Sequence, residues 1–443
     1  MSDVGEDRAG TRLPEGVPPL RPRWLPRVPQ TPGRGPWRHR LNRLFYAAAL
    51  LGIGASAWAY WLTYTDVRDR AASEAEIVAA CGGIVDAELV MDLRGGMVRA
   101  TAYRPDGNGL RLEALPGLCR IYGVPEPGRS DSLVTVVVRS SDDGKPMNLV
   151  GDEVGREPFD RGADPDLSPD DVTRFADHAE PWPLGDGRLG HYGDASVTVR
   201  AVCAAGKPAA LEVTVKAEYD DVSDEDRGIL AEVARGSAEK ATAEVGCKAR
   251  LPQLPARLPK AERELGAAKS ASASCDWYGR HLDASGRGRL PDRMLETPVA
   301  ARSTTETCLL AVSPDGVRAI APQLSGSSRE YARYALTHSP WWMRTASYFD
   351  AGPTSVAYDH ADHDTYLAPG TADAGEGESG VWWASSVCDG RPAAHTLTVS
   401  YTYDDVVLDR LAALFRAYVD DVTERRGCTD VKFPASSAFE ADD

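Results

Sequence analysis

Lys207-Pro208-Ala209-Ala210, Thr214-Val215 and Tyr219-Asp220-Asp221-Val222 follow one another in the middle of the chain, and the order returns as Arg391-Pro392-Ala393-Ala394, Thr398-Val399 and Tyr403-Asp404-Asp405-Val406. Both copies begin just after a cysteine (Cys203, Cys388) and end at a Gly-Cys pair (Gly246-Cys247, Gly427-Cys428). Ordered self-similarity over such a distance reads as an internal duplication. Within one copy, Val197 to Val202 and Leu211 to Val215 alternate with a two-residue period around Gly206-Lys207-Pro208, which predicts a β-hairpin. The Asp220-Asp221 pair is read as the N-cap of a following helix, where free amides and the helix dipole favour acids. In the second copy Leu408, Leu411, Phe415, Tyr418, Val419 and Val422 share one helical face able to lie across the hairpin.

A cysteine at the far end of such a helix reaches back to the hairpin, so Cys203 is paired with Cys247 and Cys388 with Cys428. Each bridge closes a loop worth about 3–4 kcal/mol in the loop-entropy model. Cys203 and Cys388 sit one position out of register, which calls for a bulge or a different turn length. Upstream, Cys119 to Gly123 parallels Cys275 to Gly279, and Val134 to Val138 parallels Leu309 to Val312. Helices are expected before them, at 85–93 and 259–268. Cys81–Cys119 and Cys275–Cys308 complete the favoured pairing, although four cysteines per half allow three connectivities. The expected fold is therefore α+β, a duplicated, disulfide-bridged body of antiparallel sheet and helices. Its repeats run over 66–250 and 260–435, joined by a stiff proline-rich linker at 251–259, with a disordered tail at 436–443.

Before this body, Leu44 to Thr65 form 22 residues without a formal charge, long enough as a helix for a hydrocarbon core of about 30 Å. Phe45 and Tyr46 near one end and Trp58, Tyr60, Trp61 and Tyr64 near the other suit the headgroup levels. Arg34, Arg38, Arg40 and Arg43 crowd the N-terminal flank, so the N-terminus is expected in the cytoplasm and the body outside. A buried globular helix, or a leader cleaved near Ala55-Ser56-Ala57, is the competing reading. Ala48, Gly52 and Ser56 offer a small-residue face on which two such helices approach as a homodimer. Residues 1–43 hold eight prolines and nine arginines and are expected to be a disordered cytoplasmic tail.

The tail's nine arginines and four acids give +5, so the whole chain's −16 leaves −21 on the body, which argues against a nucleic-acid ligand. All eight cysteines lie beyond the apolar run, as in a protein of an oxidising compartment. The Ala/Arg/Gly/Asp-rich usage, the basic Pro-rich tail, the single span and Cys81-Gly82-Gly83-Ile84 followed by a cysteine strand at Cys119 resemble uncharacterised envelope proteins of streptomycetes and related actinobacteria. Some secreted actinobacterial lipoproteins share the Cys-Gly opening but carry a lipobox, which no cysteine after this span provides. The resemblance implies a cell-surface location and supplies no activity.

Candidate sites are few. Asp359-His360-Ala361-Asp362-His363-Asp364 offers metal-ligand types inside a Gly/Ala/Asp-rich stretch, where a solvated loop is the simpler reading. Trp341-Trp342 and Trp382-Trp383 are adjacent pairs, so on strands their rings face opposite sides. One ring of each is then available as a stacking platform for a glycan or partner protein, the plainer alternative being core packing. Ser237-Ala238-Glu239-Lys240 matches Ser-x-x-Lys of penicillin-binding enzymes without the Lys-Thr-Gly that accompanies it, and the acids from Asp220 to Asp226 lack the glycine of a calcium loop. No catalytic residue or cofactor is assigned. The sequence is read as a membrane-anchored extracytoplasmic binding or scaffolding protein, the alternative being an enzyme acting on cell-wall material.

Overall fold

The computed structural model describes residues 36–103, 109–126, 128–141, 148–150, 157–159, 171–204, 208–349, 356–360, 363–367, 370–375 and 380–440. The proline-rich tail before Pro36, Gly206-Lys207 of the expected turn and Asp362 lie outside them. The chain divides into two units, Met1–Thr65 and Asp66–Asp443. Helix α1 (Pro36–Ala80) contains the charge-free run, and it is long and apolar enough to cross a bilayer. Leu44, Phe45, Leu51, Trp58 and Tyr60 are all exposed along it.

The helix does not stop at residue 65, nor begin at 44. Its last turns belong to the folded body: Ile77 and Ala80 are fully buried, and Ser73 Oγ accepts from the Ala100 amide at 3.0 Å. Thr101 donates to Glu76 at 2.7 Å, and Arg99 pairs with Asp69 at 2.8 Å. The segment from Asp66 to Ala80 thus docks beside the first strand.

The first half follows with α2 (Ala87–Asp92), β1 (Ala100–Tyr103), β2 (Gly117–Glu126), β3 (Arg129–Ser140), β4 (Asn148–Val150), β5 (Trp182–Pro183), β6 (Gly190–Tyr192), β7 (Ser196–Val202), β8 (Ala210–Ala217) and α3 (Asp224–Glu244). The expected helix at 85–93 is α2. Seven strands form an antiparallel sheet ordered β1-β2-β3-β8-β7-β6-β5. The hairpin is as read, with Val197 opposite Val215 and Arg200 opposite Glu212. Val134, Val136, Val197, Val199, Val213 and Val215 face a core shared with Leu230, Val233 and Ala234 of α3. The N-cap of α3 is Ser223, whose Oγ accepts from the Asp226 amide at 3.0 Å, and not Asp220 or Asp221, which precede the helix.

The second half contains β9 (Gly266–Ala267), α4 (Asp276–Ser285), β10 (Arg293–Glu296), β11 (Thr305–Ala311), α5 (Pro314–Ile320), α6 (Gly326–Tyr334), β12 (Trp342–Tyr348), β13 (Val356–His360), β14 (His363–Tyr366), β15 (Asp373–Ala374), β16 (Val381–Cys388), β17 (Arg391–Val399), α7 (Tyr403–Arg426) and β18 (Thr429–Lys432). Its sheet runs β15-β16-β17-β12-β11-β10-β9, with β18 beside β16. Helix α7 buries Leu411, Phe415, Tyr418, Val419 and Val422. Arg425 and Arg426 in its last turn both bind Glu306 of β11, which is 2 % exposed, and so pin the helix to the sheet.

The disulfides are Cys81–Cys119, Cys203–Cys247, Cys275–Cys308 and Cys388–Cys428, with Cα separations of 5.3, 5.2, 5.3 and 4.2 Å. The register offset between Cys203 and Cys388 comes from turn length. Cys388 and Arg391 are opposed across the two-residue turn Asp389-Gly390, both at positive φ as a type I′ hairpin requires, whereas β7 and β8 close at Val202 and Ala210.

Three expectations yield to tertiary structure. Residues 259–268 form no α-helix, because Arg263 O accepts from the Ala176 amide at 2.8 Å and the Leu265 amide donates to Arg174 O at 2.9 Å. Cys119 to Gly123 lies in β2, whereas Asp276 onward is α4, with Trp277, Tyr278 and Leu282 on its buried side, so those stretches are not equivalent. The tail from residue 436 is ordered through Glu440, because Phe439 stacks on Trp382 at 5.8 Å and 7°. The expected linker also packs: Leu251, Leu254 and Leu258 join the first core.

The halves are stitched together by residues of the first that lie on the second. Phe159 and Ala176 share a cluster with Leu309, Ala311 and Trp342. Arg293 binds Asp171 through both carboxylate oxygens, and Arg344 meets Glu180 at 2.8 Å with both side chains buried. The long insertions of the two halves also pair, with β13 joining β4 in parallel and β14 antiparallel.

Candidate functional site

A cleft of about 620 Å³ opens where the segment before β6, the end of β8 and the residues after the linker meet. One wall is Asp177, His178 and Pro181; the base carries His191, Asp194, Ser196 and Lys216; the rim is Glu218 to Val222 opposite Lys260 and Arg263. Strand alternation sets the base. Val197, Val199, Val213 and Val215 point to the helix side, which leaves Ser196 and Lys216 on the other face, beside His191 of β6.

Arg227 organises the ground beneath. It is fully buried in the first turn of α3 and donates to Leu258 O (3.1 Å), Val222 O (3.1 Å) and Asp194 O (3.4 Å), besides Asp224 (2.7 Å). One guanidinium therefore fixes the β6–β7 turn, the entry to α3 and the linker in one geometry. Arg263 then spans the cleft wall, donating to Asp177 O at 3.0 Å with Asp194 Oδ2 at 3.8 Å. Neither arginine stands out in the sequence, since most of their partners are backbone carbonyls.

The electrostatics are mixed. Burial, with the charge of Arg200 beside it, lowers His191 to about 4, so the imidazole is neutral at pH 7 and offers one donor and one acceptor. Burial, reinforced by Asp226, pushes the Tyr219 phenol up, and Arg94 lies over its ring at 5.1 Å. Five acids and three cationic side chains border the cleft, an arrangement for a polar, hydrogen-bonding ligand rather than a greasy one.

The tryptophan pairs do face opposite sides of their strands, but no ring is left exposed. Trp341 and Trp382 enter the core beneath α7, Trp341 stacking on Tyr403 at 5.3 Å and Trp382 donating to Ala438 O at 2.7 Å. Trp342 is covered by Phe159, Ala176 and Leu265, and Trp383 lies with Tyr348 and Leu367, so the other face is closed too. All four rings are core, the plainer of the two readings, and no ring remains for the platform; the cover of Trp342 comes from segments distant in sequence.

Asp359, His360, His363 and Asp364 do not sit in a loop. They end β13 and begin β14, with Asp359 opposite Asp364 and His360 opposite His363. Among the described residues no group of three or more His, Cys, Asp or Glu is arranged to hold a metal ion. Ser237 is buried on α3 while Lys240 is exposed, so the two form no catalytic pair.

A serine–histidine contact does exist, at a place the sequence did not flag. Tyr418 Oη lies 2.6 Å from Ser347 Oγ, Ser347 Oγ 2.7 Å from His395 Nδ1, and His395 Nε2 2.8 Å from Ser386 Oγ. All four are sealed in the core between the second sheet and α7. Burial alone holds His395 down to about 3. Buried and bonded to one another, these groups form a satisfied structural network. No known protein family, curated protein or solved structure matches the chain.

Proposed function

We propose that the chain is a single-pass envelope protein of the actinobacterial type, whose body from Asp66 stands outside the cell on a cytoplasmic N-terminal tail and binds a polar ligand. The observation that carries this reading is the confinement of all four disulfides to the part of the chain after one charge-free, exposed helical run. The arginine-rich flank before Leu44 supports the direction. The body is read as a tandem duplication: β2-β3-β8-β7 with α3 matches β11-β12-β17-β16 with α7, and each half carries one bridge near its first helix and one from hairpin to long helix. A filled second half and an open polar cleft in the first favour a binding module, the ligand being a glycan or an envelope peptide.

Protease added to intact cells tests the topology. Fragments beyond Asp66 are lost while an epitope placed before Arg43 survives; a protected body with a digested tail overturns the reading. Mass mapping without reductant finds no free thiol, and several alkylated cysteines contradict an oxidising location.

A further inference from the structure

We propose that the first half also contains a site for a phosphate-class oxyanion, separate from the polar cleft. A cavity of about 500 Å³ lies at the end of β7, lined by Arg188, Arg200, Lys248 and Arg250 together with Val202, Ala204, Ala249, Leu251 and Pro252. Its described lining holds four cationic side chains and no carboxylate, on a body that carries −21 overall. Like charges brought together repel, and a bound counter-charge among them relieves that repulsion.

Arg200 supplies the second, independent sign of a missing partner. It is 4 % exposed, and its Nη1 lies 3.5 Å from Glu212 Oε1 across the β7–β8 pair. Its Nε and Nη2 are buried without a hydrogen-bond partner. Glu212 neutralises one charge and holds the guanidinium in place, which leaves donors in a fork suited to a tetrahedral oxyanion. Buried, unmatched donors carry an uncompensated desolvation cost, which an anion would offset.

The walls are rigid. The Cys203–Cys247 bridge and the Ala204 amide's bond to Lys248 O (3.1 Å) join the end of β7 to the Lys248–Pro252 strip. The Arg200 amide donates to Leu189 O at 2.8 Å, and Asp186 Oδ1 accepts from the Arg188 amide at 3.1 Å, which sets the turn carrying Arg188. The inference holds whichever side of the membrane the body occupies.

Titration calorimetry on the full chain in neutral detergent, in phosphate-free buffer, tests it with inorganic phosphate and glycerol phosphate as probes. Saturable binding is expected, weakened at least tenfold by the double substitution Arg188→Gln and Arg250→Gln, whose exposed positions leave folding intact. Arg200→Gln abolishes binding; because it strands Glu212, its thermal unfolding is recorded alongside, and the exposed double variant decides if it unfolds. Flotation with phosphatidylglycerol vesicles separates the sources: retention of the wild type over the double variant, competed by phosphate, marks a lipid headgroup, and calorimetric binding without retention marks a free anion. No saturable heat with either probe, or equal affinity in wild type and double variant, overturns the proposal.

Discussion

The two halves of the body share one order of four central strands, β2-β3-β8-β7 and β11-β12-β17-β16, and fill the space around it differently. In the second half, Trp277, Trp341, Tyr403, Phe415 and Tyr418 fill the space between sheet and helix, and even the imidazole of His395 has both nitrogens engaged. In the first half helix α3 contributes Leu230, Ala231, Val233, Ala234 and Ala238, and polar cavities lie on the far face of the sheet, bordered by His191, Arg200 and Lys216. The difference teaches that the aromatic-rich half spends its rings on core packing. The half whose sequence looks bland carries the open surface, because open surface is made by what is left unfilled.

The largest expected effect tests the packing half. Trp341→Ala removes a fully buried indole stacked on Tyr403 and is expected to cost about 3–5 kcal/mol in denaturant unfolding. Trp182→Ala, in the first half, removes a part-buried ring that meets Tyr192 edge-on at 6.2 Å and is expected to cost roughly half of that or less. Equal losses would erase the contrast between the halves.

Acid sharpens it next. His395 is held at about 3, below its usual 6.5, so its contribution to stability is complete above pH 6.5 and is lost as pH falls towards 3. At pH 5 this amounts to about 2 kcal/mol relative to pH 8. His395→Gln is expected to start less stable and to lose that part of the pH slope. His191, lowered only to about 4 at the cleft, gives a narrower window of the same sign. An unchanged slope in His395→Gln would mean that the buried network accepts a proton freely.

What the sequence made legible follows from periodicity and from cysteines. Alternation located β7 and β8, a 3.6-residue pattern located the buried face of α7, and the order of cysteines along each half led to all four bridges. These signals are local, or tied to one residue type. The cleft was not legible, since Arg227 and Arg263 bond to carbonyl oxygens, which leave no trace in side-chain identity. The choice between a tryptophan platform and core packing stayed open in the sequence for a related reason: Phe159 and Ala176, which cover Trp342, come from the other half. Tertiary cover has no period.

The finest test compares one repeated tetrapeptide in its two settings. Tyr219-Asp220-Asp221-Val222 precedes α3, and Asp220 is exposed at the cleft rim; Tyr403-Asp404-Asp405-Val406 opens α7, with Tyr403 fully buried and donating to Arg289 O at 2.8 Å. Burial raises Asp404 to about 6, outweighing the Asp405 amide that its carboxylate accepts at 3.0 Å. A carboxyl whose folded value lies above its unfolded one contributes fully below pH 4 and loses that contribution as pH rises through 6. This is the reverse of His395, so the two are separated by comparing each variant with wild type at the same pH. Asp404→Asn keeps the accepting oxygen and removes the buried charge. It is expected to gain roughly 1–2 kcal/mol at pH 8, after allowance for solvent screening, and nothing at pH 4. Asp220→Asn is expected to change stability by less than about 0.5 kcal/mol at either pH. A gain at Asp220 equal to that at Asp404 would place both copies in the same environment, contrary to the different ends to which the two halves are put.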